Sequence, residues 1–364
     1  MPQLASYKAL SLAIFATFLL LYLQYFYLAK IKWRMSRNPH FRIHPLSTEE
    51  PYRSRIRGIR GRCREGGGEK NKTLLRGWFK FNDRLKLVFC KTPKVASTTW
   101  QYLFLRLGGF PAENITEEKR RSWLLSKIPN KDFKELTTEA EAKVRLREFT
   151  TFFITRHPFE RLVSCYTDKF TNHSDLRVYR DKYGVQIAAE QATDHLHGLE
   201  RMFRTNLRLD LVKRTPTFRK LSKSQQAEVL RYWEVLRSGE ISFPQFIKFI
   251  IDRHRDGSLM DVHWRPQVSM CMPCHFDYSY VMKFENIAED SNRLLDYIQD
   301  NGSHVPLKEK ITFPTGHSSL VQNSRTQQAF DQISETDVET LRRIYADDFY
   351  ILNYDPYLYQ GRRS

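Results

Sequence analysis

The chain is predicted to be an α/β protein with a P-loop-like core, in which a central, mainly parallel sheet is flanked by helices. A single transmembrane helix and a stem are expected to precede this core. Three observations predict the arrangement. Two segments, RLKLVFCKTPKVASTTW at Arg84–Trp100 and FFITRHPFERLVSCY at Phe152–Tyr166, each read as a strand running through a tight turn into a helix. Strands that alternate with helices imply a parallel sheet covered on both faces. The run Ala9–Ala29 holds 21 residues without a charge, long enough to span hydrocarbon as a helix.

From the N-terminus, residues 1–8 form a short tail, 9–29 an uncleaved anchor, 30–75 a stem and 76–364 one large domain. The apolar run exceeds a usual signal-peptide core, and no small-x-small cleavage site precedes Lys30. Tyr22, Tyr25 and Tyr27 sit towards one end of it, where interfacial aromatics belong. Between Lys30 and Arg62 there are ten Lys or Arg, two Glu and little apolar periodicity, and Gly66–Gly68 mark a looser end. Lys30, Lys32, Arg34 and Arg37 follow the span while Lys8 precedes it. Read by the positive-inside tendency alone, the large domain would face the cytosol.

At the first junction Leu85, Leu87, Val88 and Phe89 make a short apolar strand, and Pro93 stops it. Thr98 or Thr99 is expected to cap a helix carrying Trp100, Leu103, Phe104 and Leu107 on one face. Lys94, Ser97, Thr98 and Thr99 supply an ammonium and three hydroxyls where backbone N–H groups and the helix dipole favour an anion. The loop contains no glycine and lacks G-x-x-x-x-G-K-[ST], which argues against a nucleoside-triphosphate kinase.

At the second junction Phe149, Phe152, Phe153 and Ile154 make a strand ending at Arg156, and Pro158 suits the first helical position. Leu162, Val163 and Tyr166 pack inward, whereas Glu160 reads as a surface charge. Arg156 and Ser164 together form a grip for a phosphate, the guanidinium supplying a fork of donors. Two such junctions point to a ligand with two separate phosphate-like groups.

KTPKVASTTW resembles the 5′-phosphosulfate loop of sulfotransferases, and RHPFERLVSCYTDKF is similar to their 3′-phosphate element, most of all in the Golgi carbohydrate sulfotransferases. Three later blocks agree in order: Ile241–Asp252, Asp261–Cys274 and Tyr345–Tyr354. The resemblance covers most of the chain. It implies a sulfotransferase fold, 3′-phosphoadenosine 5′-phosphosulfate as donor, no metal, and a lumenal domain on a single-pass type II Golgi membrane protein. That orientation overrides the positive-inside reading. Lys94, Val95, Ala96, Ser97, Thr98 and Thr99 would hold the 5′-phosphosulfate, and Arg156 with Ser164 the 3′-phosphate. Lys94 would also neutralise the departing bridging oxygen. A base must take the acceptor proton, and the candidates are His263 and, second, Asp168. The acceptor it implies is N-acetylgalactosamine 4-O of chondroitin or dermatan, with glucuronate 3-O as alternative. Ala96 stands where cytosolic members have Gly, and Ser97 where close relatives often carry Cys.

A net charge of +18 fits a polyanionic glycan acceptor, since no nucleic-acid-binding signature accompanies it. Arg177, Arg180, Lys182, Arg201, Arg204 and Arg208 form an expected acceptor-facing region. Four sequons, at Asn71, Asn114, Asn172 and Asn301, are expected to be glycosylated in the lumen. Of the five cysteines, Cys63, Cys90, Cys165, Cys271 and Cys274, two pairs and one spare are expected, by a local bridge or by bridges to other segments. Cys271-Met-Pro-Cys274-His275 matches a haem-attachment pattern, but no axial-ligand context supports it. An alternative of a different class is a membrane-anchored lumenal glycosyltransferase or glycan-binding protein; no Asp-x-Asp occurs, which counts against the commonest metal-dependent glycosyltransferase type.

Overall fold

The computed structural model describes residues 22, 49–66, 78–107, 134–136, 138–171, 178–184, 186–187, 209–238, 240–301 and 319–362. Apart from Tyr22, the expected anchor at 9–29 lies outside them, as do the sequons at Asn71, Asn114 and Asn172. Among the described residues no helix is long and apolar enough to cross a membrane.

The elements run α1 (Tyr52–Arg64), β1 (Phe79–Asn82), β2 (Leu87–Cys90), α2 (Ser97–Leu107), β3 (Lys134–Glu135), α3 (Glu139–Glu148), β4 (Thr150–Thr155) and α4 (Pro158–Phe170). After a short helical segment at Arg180–Gly184 come α5 (Leu209–Arg214), α6 (Pro216–Arg219), α7 (Lys223–Ser238), α8 (Phe243–Arg255), α9 (Gln267–Cys271), β5 (Tyr280–Lys283) and α10 (Ile287–Asn301). The chain closes with α11 (Ser319–Phe330), α12 (Glu335–Ile344) and α13 (Ala346–Leu352). Asn301, the remaining sequon, is the last residue of α10.

The sheet order is β3-β1-β2-β4-β5. β2 pairs parallel with β4, in register Phe89↔Phe152, and β4 parallel with β5, but β1 is antiparallel to both β2 and β3. The sheet is therefore mixed, and the expectation of a mainly parallel one holds only for β2-β4-β5. The reason is local. The turn at residues 83–86 joins β1 directly to β2, with Asn82 Oδ1 accepting from Arg84 N and Leu85 N at 2.9 Å. A short connection of this kind joins only antiparallel neighbours.

Side chains alternate across the parallel strands, as a sheet buried on both faces requires. Leu87, Phe89, Phe152, Ile154, Tyr280 and Met282 pack with Trp100, Leu103 and Phe104 of α2. Phe89 and Phe152 stack at 4.7 Å between centroids. Val88, Cys90, Phe153 and Val281 face the other cluster, with Ile56 and Ile59 of α1. The predicted stripe Phe243, Phe246, Ile247 and Ile250 on α8 is buried in a third cluster with α4, α11 and α12. Each of these side chains contributes roughly 1.5–3 kcal/mol by leaving water.

The stretch 30–75, read as stem, contains α1, which packs into the domain. Tyr52, Ile56 and Ile59 are buried, Arg55 pairs with Asp290 at 2.6 Å, and Cys63 is disulfide-linked to Cys274. Folded structure thus begins well before residue 76. The second bridge is Cys90–Cys271, and Cys165 is the spare, a buried free thiol. Both bridges run to distant segments, so no local Cys271–Cys274 bridge forms.

Candidate functional site

The site is assembled where β2 and β4 end side by side. After β2 the backbone runs Lys91–Ala96 and enters α2 at Ser97, with Ala96 O accepting the first helical bond from Trp100 N at 3.0 Å. The helix thus starts before the expected caps: Thr98 and Thr99 lie within its first turn. The capping position is held by an alanine, which has no side-chain acceptor, and the first N–H groups of a helix have no intrahelical partner. Lys94 and Ala96 have φ of 72° and 62°, the left-handed region that glycine enters without cost. Alternating handedness of this kind turns successive N–H groups to one side, a concavity suited to an anion. Val95 is wholly buried, so its side chain anchors the loop and only its backbone faces a ligand. Ser97 is buried, Thr99 half-buried and Thr98 exposed.

The second junction is built from conventional parts. Pro158 occupies the first turn of α4, as predicted, and His157 Nδ1 accepts from Phe159 N at 3.3 Å as the cap. His157 Nε2 meets Asp355 O at 3.0 Å, and burial pushes its pKa down to about 4, so this histidine is a neutral structural group.

Two arginines of this junction hold the first loop. Arg156 Nη1 donates to Lys94 O at 2.9 Å, and its guanidinium lies 4.0 Å over the Phe284 ring. Its Nε is buried without a hydrogen bond, 3.6 Å from Glu160 Oε2. Arg161 directs Nε to Pro93 O at 3.0 Å, Nη1 to Arg265 O at 2.6 Å and Nη2 to Val262 O at 3.0 Å. Glu160, expected at the surface, is buried, accepting from Tyr359 OH at 2.9 Å. It is the counter-charge that the buried Arg156 requires.

Gln267 completes the frame. Its Oε1 accepts from Arg156 N at 3.1 Å, and its Nε2 donates to Thr92 Oγ1 at 3.2 Å and Ile154 O at 3.1 Å. One amide thereby ties the first loop to the end of β4. Asp348 in turn caps α9, accepting from Gln267 N and Val268 N at 2.7 and 2.8 Å.

Charged side chains continue from the loop in one connected array. Lys94 Nζ pairs with Asp168 Oδ2 at 3.0 Å, and Lys169 Nζ reaches the same oxygen at 3.1 Å. Lys169 also lies 4.9 Å over the ring of Tyr179. The Tyr179 hydroxyl is 2.8 Å from His263 Nδ1, which meets Asp261 Oδ1 at 2.8 Å. The predicted residues Lys94, Asp168 and His263 therefore belong to one site, and Ser164 stands half-buried on α4 one turn before Asp168.

The electrostatics separate the two candidate bases. Burial raises the Asp168 pKa, but Lys94 and Lys169 outweigh it and hold it at about 2. A carboxylate so stabilised is a poor proton acceptor. Burial lowers the His263 pKa, opposed by its bond to Asp261 and reinforced by Lys169 and Lys94. His263 is thus kept neutral, the state a base needs. Lys94 is also lowered by burial, with Asp168 opposing.

Of the expected acceptor-facing cations, Arg180 is buried and pairs with Glu240 at 3.3 Å, so it does not face an acceptor. Lys182 is exposed, and Arg177, Arg201, Arg204 and Arg208 lie outside the described residues. Tyr179, Tyr183, Asp261, Lys169 and Gln267 are site residues that sequence reasoning missed. Asp261, two residues before His263, was the one signal open to it. Among the described residues no group of three or more His, Cys, Asp or Glu is placed to hold a metal ion.

A model of a sulfotransferase family matches residues 78–355 of this chain. The chain is similar to carbohydrate sulfotransferase 11 of Mus musculus, 28% identical over 276 residues that cover 74% of this chain and 64% of the relative. It is also similar to carbohydrate sulfotransferase 8 of Homo sapiens, at 26% over 75% of this chain and 53% of the relative. Carbohydrate sulfotransferase 10 of Mus musculus is 26% identical over 83% of this chain and 75% of the relative. The aligned part thus spans less than two thirds of the first two of these relatives, 64% and 53% of their length. No solved structure matches the chain at a significant level. With the match running from β1 to the segment after α13 and containing both junctions and the His263 loop, this chain belongs to the sulfotransferase family.

Proposed function

We propose that the protein transfers a sulfuryl group from 3′-phosphoadenosine 5′-phosphosulfate to a sugar hydroxyl of a glycosaminoglycan or glycoprotein glycan, without a metal. The observation that carries this reading is the connected array Lys94–Asp168–Lys169–Tyr179–His263, placed where two anion-type junctions meet. The uncapped start of α2 and the left-handed turns at Lys94 and Ala96 fit a 5′-phosphosulfate. Arg156, two residues before α4, and Ser164 on α4 fit a 3′-phosphate. The donor supplies an activated sulfuryl group on a phosphate leaving group.

The chain's own residues then have separate tasks. Lys94 stabilises negative charge developing on the bridging oxygen, an interaction stronger in the transition state than in the ground state. Ser97, Thr98 and Thr99 orient the phosphosulfate from the first turn of α2. His263 takes the proton of the acceptor hydroxyl as that oxygen bonds to sulfur and the S–O bond to the phosphate breaks. Asp168 holds Lys94 in place until an anionic ligand competes for it, a positioning role in place of the basic one considered from sequence.

N-acetylgalactosamine 4-O in chondroitin or dermatan is the acceptor this reading favours, on the resemblance of the sequence blocks. Net charge of +18 supports a polyanion. The reading places the protein in the Golgi membrane, single-pass type II, with a glycosylated lumenal domain. The two disulfides support an oxidising compartment. The test is labelled-donor transfer by the full chain purified in detergent, with a chelator, on a panel of desulfated glycosaminoglycans followed by disaccharide analysis. Sulfate on a 4-position of N-acetylgalactosamine is expected. Strict divalent-metal dependence with a sugar nucleotide would overturn the class.

A further inference from the structure

Asp261 receives hydrogen bonds from two different parts of the chain. On its own loop, His263 N and His263 Nδ1 reach Oδ1 at 3.0 and 2.8 Å. From the helical stretch after α4, Tyr183 OH donates to Oδ2 at 3.0 Å and Tyr179 OH to both oxygens at 3.2 Å. These bonds to His263 and Tyr183 outweigh the effect of burial and keep Asp261 ionised, at about 2.

An ionised carboxylate only accepts hydrogen bonds, whereas a neutral imidazole has one donor and one acceptor nitrogen. With Oδ1 at 2.8 Å, and with the Tyr179 hydroxyl, also 2.8 Å from Nδ1, giving its proton to Asp261, a lone pair on Nδ1 would face only other lone pairs, so Nδ1 must carry the proton. Nε2, which makes no hydrogen bond among the described residues, is then the basic nitrogen. We propose that Asp261 is a positioning residue that fixes His263 with its proton on Nδ1 and its Nε2 lone pair free, and that Tyr179 and Tyr183 fix Asp261 in turn. This rests on the sulfuryl-transfer reading above. On proton transfer, the acceptor's proton passes to Nε2, Nδ1–H is retained, and the imidazolium lies against the Asp261 carboxylate.

The groups facing His263 are Asp261 on its own loop, Tyr179 from the helical stretch, Lys169 from α4 and Lys94 from the loop after β2, the last two paired with Asp168. Both lysines disfavour imidazolium and Asp261 favours it. Removing the Asp261 charge therefore moves the His263 titration to lower pH, while releasing the tautomer.

The test uses the full chain with ¹⁵N-labelled histidine, His263 being assigned by its absence from His263→Ala. At neutral pH the wild type is expected to show protonated Nδ1 and unprotonated Nε2, and Asp261→Asn to lose that preference. In kinetics Asp261→Asn is expected to lower kcat about 100-fold, on the order of a lost acid–base contribution. The donor KM should stay within about two-fold, and the acid limb of kcat/KM should move to lower pH. Tyr183→Phe, which keeps Asp261, should show the same pattern with a kcat loss of a few-fold. A proton on Nε2 in the wild type, or Asp261→Asn with wild-type kcat and an unmoved acid limb, would overturn the proposal. Absence of any sulfate transfer by the wild type would instead sink the reading of the reaction, and the tautomer measurement would still decide the role of Asp261.

Discussion

The first junction, residues 91–97, and the second, residues 155–158, make the same strand-to-helix turn by opposite means. The second uses residues that favour it locally: Pro158 in the first turn and His157 as cap. The first puts Lys94 and Ala96 in left-handed conformations, each costing about 1–2 kcal/mol for a residue with a Cβ, and gives α2 no side-chain cap. Its shape is imposed from outside, by Arg161 on Pro93 O, Arg156 on Lys94 O and Gln267 on Thr92. The difference teaches that the second junction is a scaffold and the first a strained, pre-organised surface held by it, as functional backbone often is.

The comparison can be broken at its supports. Arg161→Met removes a buried charge and leaves the carbonyls of Pro93, Val262 and Arg265 unpaired. It is expected to cost about 3–5 kcal/mol of folding stability by chemical denaturation. A change below about 1 kcal/mol would show that the loop does not depend on the second junction.

Acid titration probes the Lys94–Asp168 pair. The folded Asp168 pKa, about 2, lies below its usual value of 3.8. Its stabilising contribution is therefore complete above about pH 4 and lost as pH falls towards 2. Asp168→Asn should flatten that part of the stability–pH curve, by on the order of 1–2 kcal/mol. An unchanged curve would show the pair to be unimportant for folding.

The smallest effect is expected from Ala96→Gly. Relief of the left-handed strain opposes the entropy glycine adds to the unfolded chain, leaving a gain of up to about 1 kcal/mol. Ala96→Val should destabilise instead. A loss of stability with glycine would mean that Ala96 is not strained.

What was legible in the sequence was local. The apolar runs of β2 and β4, Pro158 as a helix start and the Phe243–Ile250 stripe are patterns of neighbours along the chain. What escaped had partners far away. Glu160 looks like a surface charge until Tyr359 and Arg156 are placed around it. Gln267 gains meaning only when Thr92 and Ile154 come together, and α1 reads as stem because its basic residues hide the buried Tyr52, Ile56 and Ile59. Lys94 and His263 were identified as site residues from the resembling blocks. Their connection through Asp168, Lys169 and Tyr179 depends on tertiary placement, and so does the pairing of Asp168 with Lys94.

The most direct test of the account is a donor titration of Lys94→Ala and Arg156→Ala beside the wild type. If the first loop carries the chemistry and the second the binding, Lys94→Ala lowers kcat about 100-fold or more with a small change in donor KM. Arg156→Ala raises donor KM, by on the order of 2–4 kcal/mol, and loses discrimination against a donor lacking the 3′-phosphate, with a smaller fall in kcat than Lys94→Ala because Lys94 O loses its donor. A Lys94→Ala enzyme with normal kcat, or an Arg156→Ala enzyme that still discriminates like wild type, would contradict this division between the junctions.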